Sequence, residues 1–253
     1  MRVSYPELVE FFVRLLINYR IPYGLAEDIA KIISKEEFMG LEGCETLKKE
    51  LVTLKNSNLN KLTLNYEDEN SVIINSTTKS GLLTTQIALD YSIAKAHNRN
   101  DDACVCVTNT TNMAISIEDN FQIRKKDYGY LMVETTKQGR FTWVIYFPNH
   151  KFPTVFKNNL TNVSNLEKYN LVINLDKILN ELCTIDKSFL VICTKKIKLL
   201  NKLYGELLKK QHKKRGEIIQ PEELKYNWSQ NWKYGAKINN LTWKKLNSAL
   251  EKS

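Results

Sequence analysis

The chain holds few of the side chains that most often bind metals or act as nucleophiles and bases: five cysteines and three histidines among 253 residues. The cysteines lack CxxC spacing and the histidines form no HExxH motif, so neither a disulfide framework nor a zinc site is indicated. Cys104 and Cys106 alternate in the segment ACVCV and would face one side of a strand. The two thiols could bind a metal or form a redox pair. The interpretation that we favour is that both cysteines are small buried residues of the strand. The sequence therefore predicts free thiols, no bound metal and no cofactor.

Motifs that bind phosphates or carry a nucleophile are also missing. The sequence contains neither GxGxxG nor GxxxxGK[ST], the turns that hold dinucleotides and nucleoside triphosphates, and it contains no GxSxG elbow. Acid–base pairs built from Asp, Glu, Tyr and Lys leave no linear motif. The catalytic residues, if the chain is an enzyme, are therefore left unassigned.

The net charge of +9 lies at the C-terminal end. Residues 195–253 carry 15 basic and 5 acidic residues and three of the four tryptophans, whereas residues 1–194 are nearly balanced. Lysines beside aromatic rings are typical of nucleic-acid-binding surfaces, because lysine releases counterions from phosphates and rings stack on bases. Such a surface would use Lys209, Lys210, Lys213, Lys214, Arg215, Trp228 and Trp232. We favour a compositional explanation, with solvated lysines and inward-packed tryptophans, because the 30 Lys, 7 Arg and 26 Asn match AT-rich codons.

Apolar spacing predicts helices at both ends of the chain. Ser4 and Glu7 form a capping box before a helix over 4–19, a second helix ends at Gly40, and a third lies in 43–55. Further helices are predicted over 81–96, 176–185, 196–214, after Pro221 and over 240–252.

Strand patterns fill the middle of the chain. The segments KLTLNY and SVIINS predict one hairpin, YGYLMVETT and RFTWVIYF a second, and ACVCVTN, MAISI, YNLVINL and FLVIC predict further strands, with a polar loop at 149–168. We expect an α+β fold, with mixed α/β as the alternative: a helical N-terminal unit (1–55), a sheet-rich and mostly antiparallel core (56–194), and a basic helical C-terminal segment (195–253) packed on the core. Without a long apolar run or a secretory signal at its start, the chain is expected to be cytoplasmic.

Three segments resemble a bacterial family known as domain of unknown function 3726. They are the turn formed by residues 23–27, the helix LLTTQIALDYSIAKA with its aspartate, and the closing YGAKINNLTWKKLNSALEK. The printed sequence ends without that family's glycine- and alanine-rich tail, so we expect any site in the tail to be lost or replaced. The resemblance implies a cytoplasmic bacterial protein of metabolic context that binds a small molecule or a protein, with no identifiable catalytic centre. It marks these residues as ligand-binding candidates: Tyr23, Gly24, Glu27, Asp90 and Trp243.

The N-terminal pattern is also similar to that of the lactate/malate dehydrogenase family whose cofactor fold is not Rossmann-like. In that family the second helix leads into Gly-x-x-Ser-His-Gly, whose histidine matters for chemistry. Here residues 40–44 read Gly-Leu-Glu-Gly-Cys, without histidine. Oxidoreductase activity is therefore an alternative to the binding function, as is nucleic-acid binding. The expected partner is an unidentified small molecule or protein, nucleic acid is possible but not favoured, and no membrane is expected; the oligomeric state is not predicted.

Overall fold

The computed structural model describes residues 1–55, 62–115, 128–136, 140–148, 150–169, 171, 173–184, 187–211 and 216–251. It has mixed helix and strand content around a mostly antiparallel central sheet, which confirms the α+β prediction. Among these residues, no helix is both long and apolar enough to cross a membrane.

The N-terminal unit consists of three helices, as the apolar spacing predicts: α1 (Tyr5–Asn18), α2 (Tyr23–Phe38) and α3 (Gly43–Lys55). The backbone N–H of Ser4 donates to Glu7 Oε2 at 2.9 Å, so the capping box forms at the start of α1. Gly43 lies against the backbone of α2, where an added Cβ would be 2.1 Å from the carbonyl oxygen of Ile33. The missing side chain is what lets α3 pack so closely on α2.

Within the described residues, eight strands form one sheet in the order β2-β3-β4-β8-β5-β6-β7-β9. Their bounds are β2 (Thr63–Glu67), β3 (Ser71–Lys79), β4 (Ala103–Thr110), β5 (Gly129–Thr136), β6 (Arg140–Tyr146), β7 (Thr154–Asn159), β8 (Phe189–Thr194) and β9 (Glu217–Ile219). The β3–β4 pair is parallel and the other pairs are antiparallel. Helix α4 (Gly81–Arg99) makes the crossover that a parallel pair requires. Both predicted hairpins, β2–β3 and β5–β6, are confirmed.

Helices cover both faces of this sheet, and alternate strand residues separate the two cores. On one face Val105, Val107 and Met132 pack with side chains of α4 and of α7 (Pro221–Tyr234). On the other, Cys104 and Cys106 pack with α5 (Leu175–Thr184) and α6 (Ile197–Gln211). Both thiols are fully buried, which confirms the interpretation as small core residues.

The C-terminal elements pack on the helical unit. Strand β10 (Ala236–Lys237) pairs antiparallel with β1 (Arg2–Val3), and α8 (Asn240–Glu251) contributes Leu246 to the apolar cluster between α1, α2 and α3. The two ends of the chain therefore form one packed structure.

Three local predictions are wrong. Residues 113–115 of MAISI form no strand, because their backbone N–H groups bind side chains of other elements. The polar stretch 149–168 contains β7 and part of a 3₁₀ helix (Val163–Tyr169) instead of a loop, because Phe156, Val163 and Leu166 enter the core. The described part of YNLVINL forms the end of the 3₁₀ helix, irregular chain and the first residue of α5, not a strand.

Candidate functional site

The predicted ligand residues at the start of α2 lie on the surface. Tyr23 is 65% exposed, a Cβ at Gly24 would meet nothing within 4 Å, and Glu27 forms an ion pair with Lys31 at 2.8 Å. These contacts are those of an ordinary exposed helix turn.

Asp90 lies on the solvent side of α4, where the amide of Gln86 donates to its carboxylate at 2.9 Å. Partial burial raises the pKa of Asp90, and the nearby charge of Asp28 on α2 adds to the effect. Trp243 packs against Phe11 of α1, with ring centroids 4.5 Å apart. Asp90 and Trp243 therefore lie on different elements, α4 and α8, each with its own local contacts.

The residues predicted for nucleic-acid binding fall on two helices. Lys209 and Lys210 lie in the last turn of α6, and Lys213, Lys214 and Arg215 are outside the described residues. Trp228 and Trp232 of α7 stack on each other with centroids 5.6 Å apart, and both also contact Tyr5 and Phe38 of the helical unit. Trp232 remains 59% exposed, so the tryptophans anchor α7 without being fully buried. Nucleic-acid binding stays a prediction.

Cys44, the last residue of the Gly-Leu-Glu-Gly-Cys segment, is buried at the start of α3. Its backbone N–H donates to Glu37 Oε2 at 2.8 Å. Burial, strengthened by the charge of Glu37, raises the pKa of the Cys44 thiol far above its usual range. A thiol with a raised pKa keeps its proton near neutrality, as is typical of buried structural cysteines.

Three glutamates from separate elements converge on residues 111–115. We name Glu36 of α2, Glu50 of α3 and Glu134 of β5 the carboxylate cluster. Glu36 accepts from the backbone N–H of Ile115 at 2.6 Å, and Glu134 accepts from that of Met113 at 2.8 Å.

Glu50 accepts side-chain hydrogen bonds from Ser80 at 2.6 Å, from Asn112 at 2.8 Å and from Thr111. The carboxylate cluster thus joins the helical unit to the sheet through one short segment. Within the described residues, no three His, Cys, Asp or Glu side chains are arranged to hold a metal ion.

Glu134 is the member of this cluster suited to hold a proton. Burial is the main cause that raises the pKa of Glu134 to about 7; the hydrogen bond from the Met113 N–H lowers the pKa, and the negative charges of Glu50 and Glu36 raise it. A carboxyl with this pKa can take up or release a proton near neutrality. The carboxylate cluster was not predicted, because residues 36, 50 and 134 are far apart in the chain. Its sequence signal is a charged residue, Glu134, near the end of an apolar strand.

An aromatic pocket lies at the opposite end of the sheet, on the face that α6 covers. Its volume is about 550 Å³, within the range of small-molecule sites. We name it the aromatic pocket; its lining residues come from the β6–β7 connection, from α6 and from the start of α7: Phe147, Pro148, His150, Thr154, Ile197, Asn201, Tyr204, Gln220, Pro221 and Glu222.

Three rings of the aromatic pocket lie close together. The Phe147 centroid is 5.6 Å from that of His150 and 6.1 Å from that of Tyr204. The backbone N–H of His150 donates to the carbonyl of Phe147 at 3.0 Å, which fixes the turn that carries both. The Tyr204 hydroxyl donates to Gln220 Oε1 at 3.3 Å, so α6 and α7 are tied together at the pocket wall. None of the lining residues was predicted as a site residue. They come from the turn, α6 and α7, and none of these segments contains a recognisable binding motif.

The described fold is similar to that of several solved structures. The chain matches malate dehydrogenase from Pyrococcus horikoshii with a TM-score of 0.67 at 13% identity, covering 100% of this chain and 95% of that one. It matches sulfolactate dehydrogenase from Methanocaldococcus jannaschii at 0.68 and 14%, covering 100% and 97%. A third match is Δ1-piperideine-2-carboxylate reductase from Pseudomonas syringae, at 0.64 and 11%, covering 98% and 99%.

These matches establish the fold over the whole chain. No family model matches the sequence, and no curated protein matches it. The resemblance to domain of unknown function 3726 therefore stays a prediction.

Proposed function

We propose that the chain is an oxidoreductase that uses a nicotinamide cofactor to interconvert the carbonyl and hydroxyl, or imine and amine, forms of a small organic acid. The observation that carries this proposal is the full-length fold match to proteins named as malate and sulfolactate dehydrogenases and as a cyclic imino-acid reductase. The substrates in those three names are all small carboxylic acids. The same fold can carry many chemistries, so a binding site with suitable side chains is also required.

The aromatic pocket fits the ring end of such a cofactor. Phe147 and Tyr204 contribute aromatic rings to the lining, against which a planar ring can pack, and the side-chain amides of Asn201 and Gln220 can pair with its carboxamide. Glu222 in the first turn of α7 carries a negative charge, which repels a phosphate. We therefore place the ring in the aromatic pocket and the phosphates outside it.

His150 is the residue of the aromatic pocket best suited to move a proton. Imidazole is the commonest general acid and base in enzymes, and the position at which the sequence resemblance leads one to expect a histidine holds the buried Cys44 thiol instead. When bound, a nicotinamide cofactor would supply hydride transfer. His150 would hold the proton that a substrate oxygen or nitrogen gains or loses.

Two measurements test this function. Tryptophan fluorescence or thermal unfolding with each oxidised and reduced nicotinamide dinucleotide should reveal binding, since a ligand at 100 times its Kd stabilises the native state by about 2.7 kcal/mol. Turnover is then measured by dihydronicotinamide absorbance with a panel of small 2-oxo acids and cyclic imino acids.

His150→Ala should remove turnover with little loss of stability, because its side chain is exposed. His97→Ala, at the exposed end of α4, is the matched control and should keep the wild-type rate. Failure of every dinucleotide to bind would refute the proposed function.

A second candidate function is binding of a small molecule without redox chemistry. The replacement of the family histidine by Cys44, whose thiol is buried and protonated, favours it. This candidate predicts ligand-dependent stabilisation with no turnover for any substrate in the panel.

Nucleic-acid binding through the basic C-terminal segment is tested separately, by titrating single-stranded oligonucleotides into the protein. Such binding should be detectable at low salt and should weaken steeply as the salt concentration rises.

A further inference from the structure

Residues 111–115 are attached to the rest of the molecule by side chains of other elements. The backbone N–H groups of the last three residues donate to such side chains: Met113 to Glu134 on β5 at 2.8 Å, Ala114 to Thr85 on α4 at 3.1 Å, and Ile115 to Glu36 on α2 at 2.6 Å. These three hydrogen bonds take the place of the ladder that would fix a strand, so the position of the segment depends on the state of its side-chain acceptors.

The same segment joins two apolar cores. Met113 packs in the core between the sheet and α4, whereas Ala114 packs in the core of the helical unit. The segment also passes close to the start of α4, because a Cβ added at Gly81 would be 2.0 Å from the carbonyl oxygen of Asn112. Any separation of the helical unit from the sheet at this place must therefore displace residues 111–115.

The carboxylate cluster lies across this junction. Glu36 and Glu50 belong to the helical unit and are each 2% exposed, whereas Glu134 belongs to the sheet. Glu134 is opposite Thr142 of β6 and Phe189 of β8, which are uncharged, and the charges that act on it are those of Glu50 and Glu36. Because like charges repel strongly where water is scarce, ionisation of all three carboxylates disfavours the contact between the helical unit and the sheet.

We propose that residues 111–115 form a proton-sensitive strap, which stays closed while Glu134 holds a proton and opens locally when the whole carboxylate cluster is ionised. Opening moves the charges of Glu36 and Glu50 away from Glu134 and lets water reach its carboxylate. Burial and these two charges raise the pKa of Glu134 to about 7, so the strap responds near neutrality. The strap goes beyond the proposed function and does not depend on it, because it involves no ligand of the aromatic pocket.

Hydrogen exchange of single backbone amides, followed by NMR on the full chain, tests this proposal. The amides of Met113 and Ile115 report the strap, and that of Val144, buried in β6, reports global unfolding. We expect the strap amides to be less protected than Val144. Low concentrations of urea should accelerate exchange of Val144 and hardly affect the strap, because a local opening exposes little surface.

The pH dependence of exchange tests the role of the proton. After correction for the intrinsic exchange rate, protection of the strap amides should fall by about 50- to 100-fold from pH 5 to pH 8. This is the factor for one carboxyl whose pKa is about 7 when the strap is closed and returns to 4.5 when it opens. The sign follows because opening releases the proton of Glu134, so a higher pH favours the open state.

Three variants separate the proton from the other contacts of the strap. Glu134→Gln keeps a carbonyl that can accept from the Met113 N–H but cannot titrate, so the fall in protection should disappear. Glu223→Gln, at an exposed position of α7, is the matched control and should behave as wild type. Thr85→Val removes the acceptor of the Ala114 N–H and should accelerate exchange equally at pH 5 and pH 8.

Strap amides that are as protected as Val144, or that respond to urea as Val144 does, would show that the segment opens only when the chain unfolds, and would overturn the proposal. A pH dependence that persists in Glu134→Gln would do the same. Failure of every nicotinamide dinucleotide to bind would remove the proposed oxidoreductase function and leave the strap unaffected.

Discussion

Replacing Glu134 by glutamine should remove a pH-dependent loss of stability. In the native state the pKa of Glu134 is raised from 4.5 to about 7 by burial and by the charges of Glu50 and Glu36. The native state therefore binds the proton of Glu134 more tightly than the unfolded state does. The contribution of Glu134 to the free energy of unfolding is therefore highest at low pH and falls as the pH rises from about 4.5 through 7.

The size of the effect follows from the two pKa values. Each tenfold difference in proton affinity is worth about 1.4 kcal/mol, so the charged Glu134 costs the native state about 3 kcal/mol once the side chain is ionised in both states. About 2 to 3 kcal/mol of this loss should develop between pH 5 and pH 8. In Glu134→Gln the side-chain carbonyl can still accept from the Met113 N–H, and this part of the pH dependence disappears.

Urea unfolding at a series of pH values from 5 to 8 measures the prediction as the difference in free energy of unfolding between variant and wild type. That difference should increase by about 2 to 3 kcal/mol in favour of Glu134→Gln over the series. Glu7 provides a control of opposite sign, because hydrogen bonds from Ser4 lower the pKa of this exposed glutamate. Glu7→Gln should lose stability relative to wild type as the pH rises from 3 to 5. Parallel curves for Glu134→Gln and wild type would show that Glu134 is not the neutral-range proton site of the carboxylate cluster.

Two further predictions concern packing. Gly43→Ala should destabilise the native state by about 2 kcal/mol or more, because the new Cβ would meet the carbonyl oxygen of Ile33. Gly24→Ala lies in an open helical position and should be neutral or stabilising by up to about 1 kcal/mol. Equal shifts of the two variants in thermal unfolding would contradict this prediction. Trp143→Ala should lower the free energy of unfolding by about 3 to 5 kcal/mol, because the ring is fully buried and its N–H donates to the carbonyl of Thr161 at 3.3 Å. A decrease below about 1 kcal/mol in urea unfolding would mean that the surrounding side chains fill the cavity.

Local sequence patterns predicted most elements of the fold, since apolar periodicity and caps act within a few residues. The helices α1, α2 and α3, both hairpins and the burial of Cys104 and Cys106 all follow from such patterns. The strand predicted at residues 113–115 does not form, and the hydrogen-bond partners of these residues lie on α2, α4 and β5. A strand-like pattern does not form a strand when its backbone groups are bound by distant side chains.

By itself, the sequence determined the α+β class, the balance of charge along the chain and the absence of a histidine at position 44. Only the tertiary structure decided which groups meet: it brought Glu36, Glu50 and Glu134 together and built the aromatic pocket from the β6–β7 connection, α6 and α7. The physical reason is that a raised pKa or a binding pocket arises from burial and proximity, and these depend on how elements distant in the chain pack together.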